Sequence, residues 1–367
     1  MLKCMSEFLR YTPELERMHP DEGAVAAELA ATMQRISASV GDQFRHTMRP
    51  VHAKSHGLVK ARLHVPAELP EAYRQGLFAE PGNYDAIIRL STNPGDILPD
   101  SVSSPRGWAI KILGPTGAEM LPGHEGQRTQ DILCVNAPAF NVPDAAGFLK
   151  QIKLIEPHAT DSAALKQVVS TTARLAETAL EAVGGESAAL KGFGHPETHI
   201  LGETFHTQVP LRWGAYVAKI SFAPLSANLK ALADKHLEHA GNYSALRDAV
   251  VKFFATETAE WEVRAQLAVS ERETPIEDAS VEWPEELSPY FPVGVLVAEP
   301  QQAYSAARRI FVDEHLSFNP WHGLAAHQPL GNVNRARRPA YGNVAVYRQA
   351  QEGRQRVEPR EITELPD

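Results

Sequence analysis

The sequence predicts an α+β protein in which strands and helices mix without a regular strand–helix–strand repeat. Three observations carry this. Short strand-like runs bounded by Pro, Gly, Asn or Asp dominate residues 58–135. Helix-period stretches follow at 163–183, 226–239 and 243–256, with further strand-like runs set among them at irregular spacing. Finally, the 367 residues are 43% hydrophobic and 22% charged, a mix that buries a sizeable core without disulfide staples.

Taken in order, Val25, Leu29, Met33 and Ile36 recur at helical spacing between Asp21 and about Val40, with Asp21 placed to cap the first turn. Beyond Pro50 the period shortens, and Leu58–Val65, Tyr84–Ser91, Gly107–Leu113 and Asp131–Val135 read as strands. Ala163–Val183, Ser226–His239 and Tyr243–Thr256 read as helices, while Ala215–Phe222 and Trp261–Val269 alternate as strands do. Gln301–Val312 reads as another helix. From Phe318 the chain is rich in Pro, Gly, Asn and Arg until a last helix at Tyr341–Arg348, and the charged tail after Gly353 is expected to be loosely ordered.

Several function classes are disfavoured. Lys and Arg total 36 against 45 Asp and Glu, and a net charge of -9 argues against nucleic acid or an anionic membrane as partner. The first residues lack an apolar run for a signal peptide, and no window approaches the roughly 18 apolar residues of a membrane helix, so a cytoplasmic protein is expected. Cys4 and Cys134 cannot build a disulfide framework or a thiolate metal cage. Gly192-Phe193-Gly194 lacks the third glycine of a dinucleotide fingerprint, and no Gly-x-Ser-x-Gly elbow occurs. His236 and His239 share a face of one predicted helix but have no third metal ligand nearby.

Four separated segments remain. Arg49-Pro50-Val51-His52-Ala53-Lys54 sets a histidine in an apolar context between two cations. Arg89 and Ser91 fall on one strand face, because side chains repeat every second residue. Asp131–Phe140 runs on to Asp144 and Phe148, supplying aromatics. Arg337 precedes Tyr341 by four residues, a spacing that lets the two meet on a helix. Each has an ordinary reading alone: a core histidine, a strand salt bridge, a surface tyrosine in an arginine-rich turn.

In order and wording, these segments resemble the haem catalases, and the chain is similar to a short member of that superfamily over about residues 40–350. Arg49 and Val51 to Lys54 match the distal-histidine motif, and Arg89-Leu90-Ser91-Thr92 matches the Arg-Phe-Ser-Thr strand with one change. Pro105-Arg106-Gly107-Trp108-Ala109-Ile110-Lys111 is similar to Pro-Arg-Gly-Phe-Ala-x-Lys. Phe318-Asn319-Pro320 and the Arg337 to Tyr341 pair match the approach to the proximal tyrosine. The resemblance implies an antiparallel eight-stranded β-barrel with surrounding helices, divided into a helical extension (1–45), a haem-binding barrel with helical insertions (46–350) and a tail (351–367). The family's C-terminal flavodoxin-like region is expected to be absent.

The resemblance also implies haem b, with Tyr341 as the iron ligand. A phenolate ligand needs a nearby cation to ionise, a role that falls to Arg337. Arg49, Arg89 and Arg348 would pair with the two propionates, since buried carboxylates require cationic partners. Val51, Phe140 and Phe148 would line the apolar haem faces. His52 would move the peroxide proton between the two oxygens, with Ser91 holding its ring.

Two departures accompany the match. Val135 stands where catalases keep a distal asparagine, and Tyr216 and Gly331 fall near the family's proximal histidine and aspartate. Efficient disproportionation is therefore not expected. The implied function is a peroxidase that reduces hydrogen peroxide or an organic hydroperoxide, using a small-molecule electron donor, with weak catalase activity. The alternatives are a hydroperoxide-rearranging enzyme of the allene oxide synthase type and a non-enzymatic haem-binding barrel. Homo-oligomerisation is compatible with the sequence, which does not fix an oligomeric state.

Overall fold

The computed structural model of the chain describes residues 7–102, 104–115, 119–161, 198–239 and 241–367. The helix expected at 163–183, the Gly192-Phe193-Gly194 segment and Cys4 lie outside them. The described strands are β1 (Lys54–Val65), β2 (Gly82–Thr92), β3 (Arg106–Leu113), β4 (Thr129–Val135), β5 (Phe205–His206), β6 (Leu211–Trp213), β7 (Tyr216–Pro224), β8 (Ala259–Leu267) and β9 (Phe291–Ala298). They form one antiparallel sheet in the order β5-β4-β3-β2-β1-β9-β8-β7-β6, and β5 also pairs with β7. Eight strands thus close into a barrel, with β6 appended to β7. The closure runs through Val135 opposite His206 and Phe205 opposite Phe222.

Period-two alternation decides which face is inside. Ala86, Ile88 and Leu90 of β2 and Trp108, Ile110 and Ile112 of β3 belong to the main core. Trp108 lies 4.9 Å from Trp261 on β8 and 5.5 Å from Phe222 on β7, so it spans the interior. The intervening residues Arg89, Ser91, Gly107 and Ala109 therefore face outward from the barrel wall. β1 starts earlier than its apolar run, with a bulge between Ser55 and Gly57 that turns buried His56 out of register. β9 escapes the sequence reading because Pro292 and Gly294 break its apolar pattern.

Helices cover the outer wall: α1 (Glu22–Phe44), α2 (Ala145–Ile155), α3 (Ala227–Lys230), α4 (Ala245–Phe254), α5 (Ala306–Ile310) and α6 (Asn332–Glu352). Leu29, Ala30, Met33 and Ile36 of α1 pack with Ala336, Ala340 and Val344 of α6 in one apolar cluster. Fully burying a residue such as Leu29 contributes roughly 1.5–3 kcal/mol. That packing carries α6 through Pro339, which removes a backbone donor and marks the stretch as broken when read locally. The ends of both helices are joined by Arg335, which bonds Glu22 at 2.6 Å and Glu16 at 2.8 Å.

Three expectations change. The helix expected at 226–239 forms only as α3, because the chain turns at left-handed Asp234 and His236 bridges to Thr198. His236 and His239 thus do not share a helix, and among the described residues no cluster suits a metal ion. The helix expected at 301–312 forms as α5 and then widens into a π turn, Phe311–His315. The tail is bonded rather than loose: Glu358 reaches buried Lys111 at 2.7 Å and Leu365 is fully buried. Among the described residues no helix is long and apolar enough to cross a membrane.

Candidate active site

Between the outer wall of β2–β4 and the pair α1 and α6 lies a cavity of about 910 Å³, counted to its open mouth. Strand alternation supplies Arg89, Ser91, Gly107, Ala109, Leu133 and Val135, α1 supplies Met33, and α6 supplies Arg337, Tyr341 and Arg348. The loop before β1 contributes Arg49, Val51 and His52.

One end of the cavity is cationic. Arg49 Nη1 donates to Asp313 Oδ1 at 2.8 Å, Arg89 Nε donates to the same oxygen at 3.1 Å, and Arg348 Nη2 donates to the Asp313 carbonyl. Ser55 Oγ adds a bond to Oδ1 at 2.8 Å. Burial opposes ionisation of Asp313, but Arg89 and Arg49 outweigh it and hold its carboxyl below the usual range. Three guanidinium groups thus surround one carboxylate, that of Asp313. Burial, then the charges of Arg89 and Arg348, push the Arg49 pKa well down despite Asp313. Glu352, bonded to His46 at 3.1 Å, and Glu314, 2.8 Å from Arg354, also act on Arg348 through their charge. Arg348 Nε is buried with no partner.

His52 lies on the barrel side. Its backbone is left-handed, with φ 53°, a conformation uncommon for a residue with a Cβ. Its carbonyl accepts from Arg89 Nη2 at 2.7 Å. Burial, then the charges of Arg89 and Arg337, lowers its pKa to about 3, so the ring is neutral near pH 7. Nδ1 is buried and unpartnered, and it faces the space that a side chain at Gly107 would fill. Ser91 is directed at the same space, but its hydroxyl makes only a 3.5 Å bond to the Gly107 carbonyl. The expected Ser91–His52 hydrogen bond is therefore not formed, although the two groups are brought together.

Tyr341 sits two turns before Arg348 on α6, about 10 Å along the axis. Arg337 is one turn before Tyr341, as the spacing predicts. Its guanidinium donates to Asn334 Oδ1 at 3.2 Å and stands 5.9 Å from the Phe140 ring centre. Among the described residues no carboxylate pairs with it.

No protein-family model and no curated protein matches the sequence. Solved structures do match. A fungal catalase superposes with a TM-score of 0.60 at 17% identity, over 85% of this chain and 61% of its own. Catalase A from Saccharomyces cerevisiae gives 0.60 at 17%, over 84% and 63%, and a bacterial catalase gives 0.57 at 18%, over 85% and 59%. The fold is catalase-like. At this identity the likeness is one of fold, and the chain spans about three fifths of the length of these catalases.

Within the catalase-like barrel, His52, Ser91, Arg49, Val51, Arg89, Arg337, Tyr341 and Arg348 all reach the cavity, as does Val135. Phe140 and Phe148 do not line it. They form an edge-on pair 5.1 Å apart, with Phe148 packed in the cluster that includes Val51. The aromatic side chains along it are instead Phe318 and Tyr341, the Trp108 ring lying in the barrel core. Tyr216 packs with Phe8 and under Arg10, away from the cavity, so the neighbour of Arg337 is Asn334 and neither Tyr216 nor Gly331. Asp313 is the main residue missed by sequence reading. Its only local signal is an acidic residue at the end of a predicted helix.

Proposed function

We propose that this chain is a haem-dependent peroxidase that reduces hydrogen peroxide or an organic hydroperoxide with an external small-molecule electron donor, with disproportionation a minor activity. The observation that carries this reading is the charge of the cavity. Three guanidinium groups gathered on the single carboxylate of Asp313, with Arg348 Nε buried and unpartnered, fit a cofactor bearing carboxylates. About 10 Å along the same helix, Tyr341 lies beside a guanidinium that has no carboxylate partner among the described residues. Apolar walls between them fit the faces of a porphyrin, so the residues suit haem b.

Haem, when bound, would supply the redox-active iron, and Tyr341 is the residue that would ligate it. Arg337, one turn before Tyr341 on α6, would supply a cation on that side of the cavity. Arg49, Arg89 and Arg348 would hold its carboxylates. Neutral His52 takes the proton from one peroxide oxygen at Nε2 and returns it to the other, its Nδ1 being turned to Ser91 and Gly107. Val51, Ala109, Leu133 and Val135 exclude water. A cytoplasmic protein with no nucleic acid or membrane partner belongs to the same reading.

The test is peroxide consumption coupled to oxidation of a chromogenic phenol by the purified protein and by His52→Ala. The wild type should consume peroxide in step with donor oxidation, and the variant should lose about 10²-fold. Conversion of a lipid hydroperoxide to a product of unchanged oxidation level without donor would favour rearrangement. Haem binding without any turnover would favour a carrier.

A further inference from the structure

The ring of His52 is not oriented by a hydrogen bond to Nδ1, since that atom is buried without a partner. Its left-handed backbone needs an external hold. Arg89 provides one: Nη2 donates to the His52 carbonyl at 2.7 Å and to the Ala53 carbonyl at 3.3 Å. The guanidinium is planar, so fixing one arm of the fork aims the other. The fixed arm is Nε, bonded to Asp313 Oδ1 at 3.1 Å. Asp313 is itself held, by Ser55 Oγ at 2.8 Å and Arg49 Nη1 at 2.8 Å, on the π turn Phe311–His315. Arg49 closes the arrangement by donating to the Val312 carbonyl at 2.7 Å and the Leu316 carbonyl at 3.0 Å. π turns are rare and occur often at functional sites, where they re-aim one side chain.

We propose that Asp313 is a positioning residue: through the Arg89 fork it fixes the backbone of His52 and hence the place of the imidazole in the cavity. Its value to catalysis rests on His52 being the reacting base. The mechanical link does not, so the two are tested separately.

The experiment is hydrogen–deuterium exchange by mass spectrometry on the full chain, comparing wild type with Asp313→Asn, which keeps the size and loses the charge. Exchange over residues 49–57, which include the Ala53 amide bonded to the Pro94 carbonyl at 3.1 Å, should rise about tenfold, while residues 107–113 stay as in the wild type. Donor oxidation should show a lower kcat at unchanged KM, and Asp313→Glu should restore part of both. Looser exchange at 306–316 alone, with 49–57 as in the wild type, would overturn the proposal, since Asp313 would then be only a local counter-ion. If Asp313→Asn does not fold, Arg89→Lys keeps a cation for Asp313 but lacks the second arm. It should loosen 49–57 with 306–316 intact, and wild-type exchange at 49–57 would overturn the proposal. If the wild type shows no peroxide turnover, the functional reading fails, and the exchange pattern still decides the link.

Discussion

Gly107 and His52 compete for one volume: a Cβ at Gly107 would lie 2.5 Å from His52 Nδ1 and 2.7 Å from its Cε1. Strand β3 thus gives up a side chain at the point where the candidate base enters the cavity. Glycine is required here by close approach and not by backbone angle.

Gly107→Ala should therefore displace the imidazole while leaving the barrel paired. A shift near 1 Å in a reacting group costs up to about 10²-fold in rate. Peroxide turnover at matched haem content should fall by that order, with only a small change in melting temperature. Full turnover in this variant would mean that the imidazole does not act from its observed place.

Val135 lines the cavity at the seam of the barrel, opposite Gly107 and His206. It offers a second peroxide no amide, and a hydrogen bond there is worth about 1 kcal/mol. Its apolar surface instead favours an alkyl hydroperoxide or apolar donor, at about 25 cal/mol per Å² buried. The ratio of donor oxidation to oxygen release should be high in the wild type, and Val135→Asn should lower it. An oxygen electrode run beside a donor assay measures both. Vigorous oxygen release by the wild type would show that the missing amide does not limit disproportionation.

Much of this site is legible because it lies on regular elements. Arg89 and Ser91 share a face by the period of a strand, and Arg337 and Tyr341 by the period of a helix. Asp313 is not legible, because a π turn moves it off the helical register that its neighbours suggest. Asn334 is missed for a related reason: the partner of Arg337 is set by one helical turn, not by alignment to Gly331. Glu358 looks like one more charge in a polar tail, and its buried partner Lys111 is 247 residues away. Long-range pairings of that kind leave no local signal.

Acid should destabilise the fold well above the carboxylate range. Burial, and then neighbouring charges where present, holds His52 at about 3 and His124, His199, His206 and His327 at about 4. Their unfolded value is about 6.5, so the unfolded chain binds more protons between that pH and about 4. Stability is complete above the unfolded value and is lost as pH falls through this window. For a fully enclosed ring such as that of His327, the loss is about 1.4 kcal/mol for each tenfold rise in proton concentration. Denaturant midpoints should drop steeply from pH 7 to pH 5, and His327→Gln should flatten the curve. Equal midpoints at the two pH values would contradict the buried, neutral assignment.

The haem assignment makes Tyr341 the iron ligand, and its most direct measurement is the visible absorption spectrum of the purified chain titrated with haem, beside Tyr341→Phe. The wild type should bind one haem per chain with the spectrum of a phenolate-ligated high-spin ferric iron, and the variant should lose occupancy or shift sharply. A wild type that takes up no haem, or a Tyr341→Phe variant with an unchanged spectrum, would contradict the assignment of this cavity.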